Sequence, residues 1–555
     1  MSDIAFTLER PAATTAAVYS LATEQPLRRK GGNMRKGKGF PFFFFIILVL
    51  SAVQGTSVFA GDMELSVKSA VEMGIQRNSD VIIEKYLHKI AIEKILEAKG
   101  EFDPVLSSNI EKGEWKVPIA EIFYPKGFYD ENAMRGGIGL KGKIFTGATY
   151  GIDSFLEKYK TTSQVVTLSP RYTSRVELSL TQPLLKDFGV SVTKTKIRIA
   201  ETGAKATKFD VKEKVNKITS AVENAYWNLA YAQGKLDLQK EGLELARRLV
   251  SDTELKLKAG DRAPIDLAQA KAEQASREEN VIAAQNDLKK AEYDLKLLLG
   301  APNSDDIIVP SDRPKEFEKI TDFPESLEAA RKNRPALQAA IFRVASKKME
   351  EKYANNQRLP RIDLIGKYGN RGLAGDPSTV IGSNGQPVGN DVIGTPFEGR
   401  TSIGDSISDL YPGDGYDNWS VALKLEIPLG NREAEGKYRQ IVLERKKMET
   451  ELKSLDETIS NELKKGLLDM QTAVKSGEAA GMTVQFWEDG LKFKEMQFRV
   501  GEASGYDVLK CQSDLTEAKT RHLKALIDYN KASSIVRAAE GTSLDKYGIE
   551  FNEKI

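Results

Sequence analysis

The chain has 555 residues, 41% hydrophobic and 29% charged, with 81 Lys and Arg against 79 Asp and Glu, two His and one Cys. This composition suits long helices, and so even a charge balance gives no electrostatic case for nucleic acid as a partner. His88, His522 and Cys511 stand far apart and outside any ligand-spaced motif, and no phosphate-cradling or nucleophile-elbow motif occurs, so no metal, cofactor or catalytic residue is expected.

The first element is a targeting segment. Arg35, Lys36 and Lys38 precede an apolar run from Phe40 to Val53, and Val58-Phe59-Ala60 follows before Gly61. A charged stretch, an apolar stretch and a small-residue site make residues 1–60 a predicted secretory signal peptide. The run is shorter than the roughly 20 residues a membrane-spanning helix needs. Met34, just before the charged stretch, is an alternative start that would leave 1–33 outside the protein. No Cys follows the cleavage site, so no lipid anchor is expected there. Cleavage removes seven Lys/Arg and three Asp/Glu, which leaves a net charge of −2. No later segment is apolar enough to cross a bilayer as a helix, so a closed β-barrel is the remaining route into a membrane.

Beyond the signal peptide the pattern predicts a helix over 66–101, alternating strands up to Pro183, a very long helix over 190–258, a sharp turn at Gly260 and a further long helix. The same order then returns: a helix over 323–357, strands up to Pro428, a helix over 431–499, a turn at Gly501 and a last helix. The landmarks match pairwise. AGDRAPIDLAQA at Ala259–Ala270 reappears as VGEASGYDVLKC at Val500–Cys511, and Gly300 matches Gly541. VELSLTQPLL at Val176–Leu185 matches VALKLEIPLG at Val421–Gly430, RNSDV around Asn78 matches KNRPAL around Asn333, and FDPVL at Pro104 matches LPRIDL at Pro360. Four ordered landmarks imply an internal duplication, with repeats over 61–310 and 311–555.

The last helix carries a clean heptad seam: Val508, Cys511, Leu515, Ala518, His522, Ala525, Tyr529, Ala532, Val536 and Ala539 step by three and four. This spacing predicts left-handed coiled-coil packing. Its counterpart in the first repeat is interrupted at Gln274 and Arg277. His522 is expected to be a packed or lumen-facing side chain, and Cys511 a small apolar seam residue.

In the strands, Val176, Leu178 and Leu180 oppose Glu177, Ser179 and Thr181, and Val421, Leu423, Leu425 and Ile427 oppose Ala422, Lys424 and Glu426. The apolar face suits lipid and the polar face a wet lumen; a soluble sandwich shows the same alternation. Pro104, Pro183, Pro360 and Pro428 punctuate the switches between helix and strand, where fixed φ and a missing donor are tolerated. The Gly-, Pro- and Asp-rich stretch Arg371–Asn418 is expected to be an extracellular loop. Residues 114–165 leave room for an extra hairpin around Phe145-Thr146-Gly147.

Together, the signal peptide, the duplication, SLTQPLLKDFG, AYWNLAYAQ, PIDLAQAKAE, LPRIDL and WSVALKLEIPLGNR resemble the TolC family of outer-membrane efflux proteins over about residues 62–541. The resemblance implies an α+β membrane protein: a long antiparallel α-helical barrel continuous with a 12-stranded outer-membrane β-barrel. It implies a homotrimer giving four strands per chain, working as a passive duct with a periplasmic adaptor and an inner-membrane transporter. The competing reading is a non-transporting periplasmic coiled-coil scaffold or adaptor. By the same resemblance Ala259, Gly260, Asp261, Val500, Gly501 and Glu502 form the periplasmic tips that meet the adaptor, and Asp507 matches an aspartate that rings the constriction. The family's second ring aspartate falls on Lys510 and its latching arginine on Ala503. Arg262, on the other tip, is the candidate substitute partner for Asp507. Asp266 and Asp507 also suit plain N-terminal helix capping.

Overall fold

The computed structural model describes residues 62–549 except 122, 123, 125, 319, 382–384, 389–396 and 412–415; the predicted signal peptide lies outside the described residues. In chain order the elements are β1 (Asp62–Leu65), α1 (Val67–Arg77), α2 (Ser79–Lys99), β2 (Val105–Pro118), β3 (Phe128–Lys143), β4 (Thr149–Thr161), β5 (Leu168–Pro183), α3 (Val190–Thr193), α4 (Thr195–Lys258), α5 (Pro264–Leu298) and β6 (Ile307–Pro310). There follow α6 (Phe323–Asn333), α7 (Pro335–Gln357), β7 (Arg361–Pro377), β8 (Val380–Ile381), β9 (Pro387–Val388), α8 (Ile403–Ser408), β10 (Asp417–Glu426), α9 (Arg432–Arg499) and α10 (Gly505–Glu540).

The helical plan predicted for each repeat is present, with two differences. The helix predicted over 190–258 is interrupted at Lys194, between α3 and α4. The first helix of each repeat is broken, at Asn78 in one and at Arg334 in the other, where the backbone turns extended. Each break abuts the glycine that ends the second helix pair of its own repeat. A Cβ on Gly300 would lie 2.6 Å from the Arg77 carbonyl oxygen, and one on Gly541 would lie 2.8 Å from that of Asn333. Both glycines hold positive φ, 70° and 78°, so close approach and left-handed backbone select the same residue twice.

With 64 and 68 residues, α4 and α9 are each about 100 Å long at 1.5 Å per residue. Neither is the centre of a compact domain; each packs along other helices. Around α4, Val222, Tyr226 and Leu229 bury against Val71, Leu295, Leu299 and Ile527, with the parallel pair β1–β6 closing one side. Along α9, Ile459, Leu463 and Met470 bury against Tyr529, Ala532 and Val536 of α10. Eight of the ten predicted seam positions of α10 are buried. His522 is half-buried with Nδ1 3.1 Å from the Gly477 carbonyl oxygen.

The sheet differs from the four strands implied by the resemblance: six strands run in the order β10-β7-β5-β4-β3-β2, each antiparallel to its neighbour. The extra pair is β3–β4, the hairpin for which residues 114–165 left room. It turns at Ile144–Gly147, around the predicted Phe145-Thr146-Gly147. The stretch from Arg371 is also not all loop. β7 continues to Pro377, and α8 folds back over it: Ser174 Oγ donates to the Ser406 carbonyl oxygen at 2.5 Å, and Asp409 accepts from the Leu373 N–H at 3.1 Å.

The register makes the two faces explicit. One row crosses all six strands as Leu106, Leu140, Ile152, Leu178, Tyr368 and Trp419. The next row reads Ser107, Gly139, Asp153, Glu177, Gly369 and Asn418. The polar face carries ion pairs between neighbouring strands, such as Arg135–Glu157 at 2.7 Å and Lys367–Glu177 at 2.9 Å. Pro104 and Pro360 immediately precede β2 and β7, Pro183 ends β5, and Pro428 lies two residues past β10.

Candidate gating and docking site at the paired tips

At the end of α4 the chain reverses through a Schellman turn. Asp261 N–H donates to the Lys256 carbonyl at 2.9 Å and Gly260 N–H to that of Leu257 at 3.1 Å, with Gly260 at φ 86°. At the end of α9 the same motif recurs: Glu502 N–H to the Gln497 carbonyl at 2.9 Å, Gly501 N–H to that of Phe498 at 3.3 Å, and Gly501 at φ 84°. Only glycine adopts this backbone without penalty. Ala259, Gly260, Asp261, Val500, Gly501 and Glu502 are all exposed.

Both carboxylates singled out in the sequence cap helices. Asp266 accepts from the Ala263 N–H at 3.3 Å. Asp507 accepts from the Ser504 N–H at 3.0 Å and hydroxyl at 2.8 Å, while its own N–H donates to Ser504 Oγ at 3.2 Å. Lys510 is exposed one turn further on.

Arg262 reaches across from one tip to the other, but its partner is not Asp507. Its Nη2 donates to the carbonyl oxygen of Ala503 at 3.0 Å, and its guanidinium lies 5.2 Å from the centre of the Phe498 ring. Lys256 approaches the same ring at 3.9 Å. Asp507 is already engaged by Ser504, which leaves the neighbouring main-chain oxygen as the acceptor. Ala503 is itself buried, and beneath it Ala246, Leu249, Val250, Ala270 and Leu509 form a small apolar cluster shared by both tips.

One turn deeper, Arg277 holds three helices together. Its side chain is buried, with Nε donating to Glu273 at 3.0 Å, Nη1 to the Gly242 carbonyl at 3.3 Å and Nη2 to the Leu509 carbonyl at 2.9 Å. In the sequence this residue is only a polar interruption of a seam. Phe498 and Lys256 give no signal in the sequence, because a lone aromatic and a lone lysine near a helix end are common.

The hydrogen bonds from Ser504 hold the Asp507 carboxyl below its ordinary pKa. A depressed value means that the cap's contribution is present above the unfolded-state pKa and lost as pH falls through the folded one. On the gating role that the resemblance implies for Asp507, conductance should rise on acidification, and Asp507→Asn should flatten this acid limb. Bilayer recordings over a pH series check it; an unchanged limb in the variant counts against Asp507.

A family model described as outer membrane efflux protein matches residues 155–301 and 326–542, more than half of the chain. The chain belongs to the outer membrane efflux protein family. In fold, this efflux protein is similar to the outer-membrane channel OprN (15% identity, 86% of this chain and 90% of that one, TM-score 0.59). It is similar to the Campylobacter jejuni CmeC outer membrane channel (16% identity, 86% of each chain, TM-score 0.60). It is also similar to the Neisseria gonorrhoeae MtrE outer membrane channel in its open state (14% identity, 86% and 89% covered, TM-score 0.59). No curated protein sequence matches the chain. The efflux protein is thus an export channel of the outer membrane that extends into the periplasm.

Proposed function

We propose that this efflux protein is a passive homotrimeric duct. An inner-membrane transporter would drive cargo through a periplasmic adaptor into its helical tunnel, and the β-barrel would carry cargo through outer-membrane lipid. The observation that carries the reading is the pair of open edges. Among the described residues β2 and β10 each have a strand neighbour on one side only, and both expose large apolar residues: Leu106 at 71%, Ile110 at 79%, Val421 at 67% and Leu423 at 67%. An unpaired edge is not tolerated in hydrocarbon, so copies must close on one another. The number three follows the family. The repeats 61–310 and 311–555 each supply one tip, the exposed tip residues meet the adaptor, and Arg262, Asp266, Asp507 and Lys510 surround the constriction.

Purified protein in detergent should have the mass of three copies and insert into planar bilayers as discrete conducting units. A freely soluble monomer without conductance overturns the proposal. The face assignment has its own check. Leu178→Arg, in the middle of the apolar row, should destabilise the inserted protein by about 2–4 kcal/mol, whereas Ser179→Arg on the polar face should cost far less. Folding titrations into lipid vesicles compare the two, and equal costs would show that the apolar row does not face lipid.

A further inference from the structure

We infer that all six strands of each protomer belong to the membrane barrel, so that a homotrimer closes an eighteen-stranded pore rather than a twelve-stranded one. The inference rests on the trimeric duct proposed above and adds the strand count to it. Three observations carry it.

The hairpin β3–β4 lies inside the sheet, hydrogen-bonded to β2 on one side and to β5 on the other, with 14 and 11 paired residues respectively. It cannot be lifted out without breaking both ladders. It also keeps the alternation of its neighbours in step. Leu140 and Ile152 fall in the apolar row between Leu106 and Leu178, and Gly139 and Asp153 fall in the polar row between Ser107 and Glu177. A one-residue slip would have turned every side chain to the wrong face. A hairpin lying over the barrel in water has no need of an apolar row in register with the rest.

The hairpin also spans the sheet from end to end. Its turn sits at the level where strands become helices: Thr146 O accepts from the Gly189 N–H at 2.9 Å, and the Phe145 ring lies 4.8 Å from that of Phe102, just before β2. At the far end Tyr124, in the β2–β3 loop, bonds the β4–β5 loop through Ser163 Oγ at 2.9 Å and Gln164 N–H at 3.0 Å. β3 and β4 have 16 and 13 residues, more than the roughly 9–11 that a tilted strand needs to cross the hydrocarbon.

Closure remains consistent with six strands. β2 leaves the helices after α2, and β10 returns to them before α9, so the two edges run in opposite directions. A β10 edge laid against the β2 edge of the next copy continues the antiparallel pattern without a break. This is a heterologous contact of the kind that generates a ring. Barrel diameter grows roughly in proportion to strand number, so the pore is about 1.5 times as wide as a twelve-stranded one and matches porins that leave an aqueous channel. Its wall carries the ion pairs of the polar face, and α8 packs on the opposite face through Ser174 and does not enter it. The cargo this suits is bulky, hydrated and polar, with selection left to the tips.

The deciding experiment is a cryo-electron microscopy reconstruction of the full chain in lipid nanodiscs. A threefold particle with eighteen strands is expected. A threefold particle with twelve strands overturns the count and leaves the duct standing. A particle that is not threefold overturns the duct reading and the count with it. A second measurement does not need strand resolution. In a Cys511→Ser background, nitroxides are placed at Ile138→Cys, Ile152→Cys and Asp153→Cys. The ratio of oxygen to nickel-chelate accessibility should be several-fold higher at 138 and 152 than at 153. Equal ratios would place the hairpin in water and overturn the inference.

Discussion

Arg334→Ala should destabilise the folded chain by about 3–5 kcal/mol, the range found when one member of a buried ion pair is removed. Arg334 sits at the break between α6 and α7, and its side chain is buried. It lies 3.0 Å from the buried Glu213 of α4, 3.6 Å from Glu462 of α9, and donates to the Ala538 carbonyl oxygen of α10. One side chain therefore joins the long helices of both repeats. Without it, Glu213 keeps a charge in a place where water cannot reach it easily. Burial already raises the pKa of that carboxyl against the opposing pull of Arg334 and Lys217; loss of Arg334 raises it further. A raised carboxyl pKa means that the folded chain holds the proton more tightly than the unfolded one, so stability falls as pH rises through the interval between the two values. The deficit of Arg334→Ala relative to wild type should accordingly shrink as pH is lowered. Glu213→Gln combined with Arg334→Ala should cost less than the single change. Denaturation midpoints across a pH series check both; a deficit that stays constant or grows on acidification rules out the Glu213 charge as its cause.

Arg262→Ala should open the tips. The bond from its guanidinium to the Ala503 carbonyl joins one turn to the main chain of the other, and the Phe498 ring adds a cation–π contact. At a partly exposed site such a charge-assisted bond contributes about 1.5 kcal/mol, or a tenfold shift between closed and open tips. The expected result is a conductance several-fold above wild type, with Arg262→Lys intermediate because a lysine keeps the charge but not the planar donor. Identical conductance in Arg262→Ala and wild type would remove Arg262 from the gate.

Much of this architecture can be read in the residues themselves. The heptad seam of α10 shows which face is buried, because coiled-coil packing imposes a period on side-chain type. The paired Gly turns are legible because positive φ selects for glycine twice at matching positions. The strand count is less so. In β3 the alternation shows at Ile138 and Leu140 against Gly139 and Lys141, but Gly136, Gly137 and Gly142 supply no side chain to either face and hide how far the strand runs. The upper part of β7 is concealed for a related reason. A Cβ on Gly372 would lie 1.7 Å from the Ser406 carbonyl oxygen, so α8 demands a glycine where the pattern would otherwise show an apolar residue. Where a strand is covered by its own loop, its sequence resembles a loop. The Arg262–Ala503 bond is less legible still: the resemblance draws attention to both positions but not to each other, since Arg262 finds its partner across 241 residues and that partner is a main-chain oxygen.

The acceptor of that bond is a peptide oxygen, and every amino acid carries one. Position 503 is thus free to drift among side chains small enough for the cluster beneath it without loosening the latch. A comparison of relatives by residue type would register the change from arginine to alanine as a loss. On the gate proposed above, the latch would pass instead to the guanidinium opposite, leaving its other half chemically silent in the sequence record.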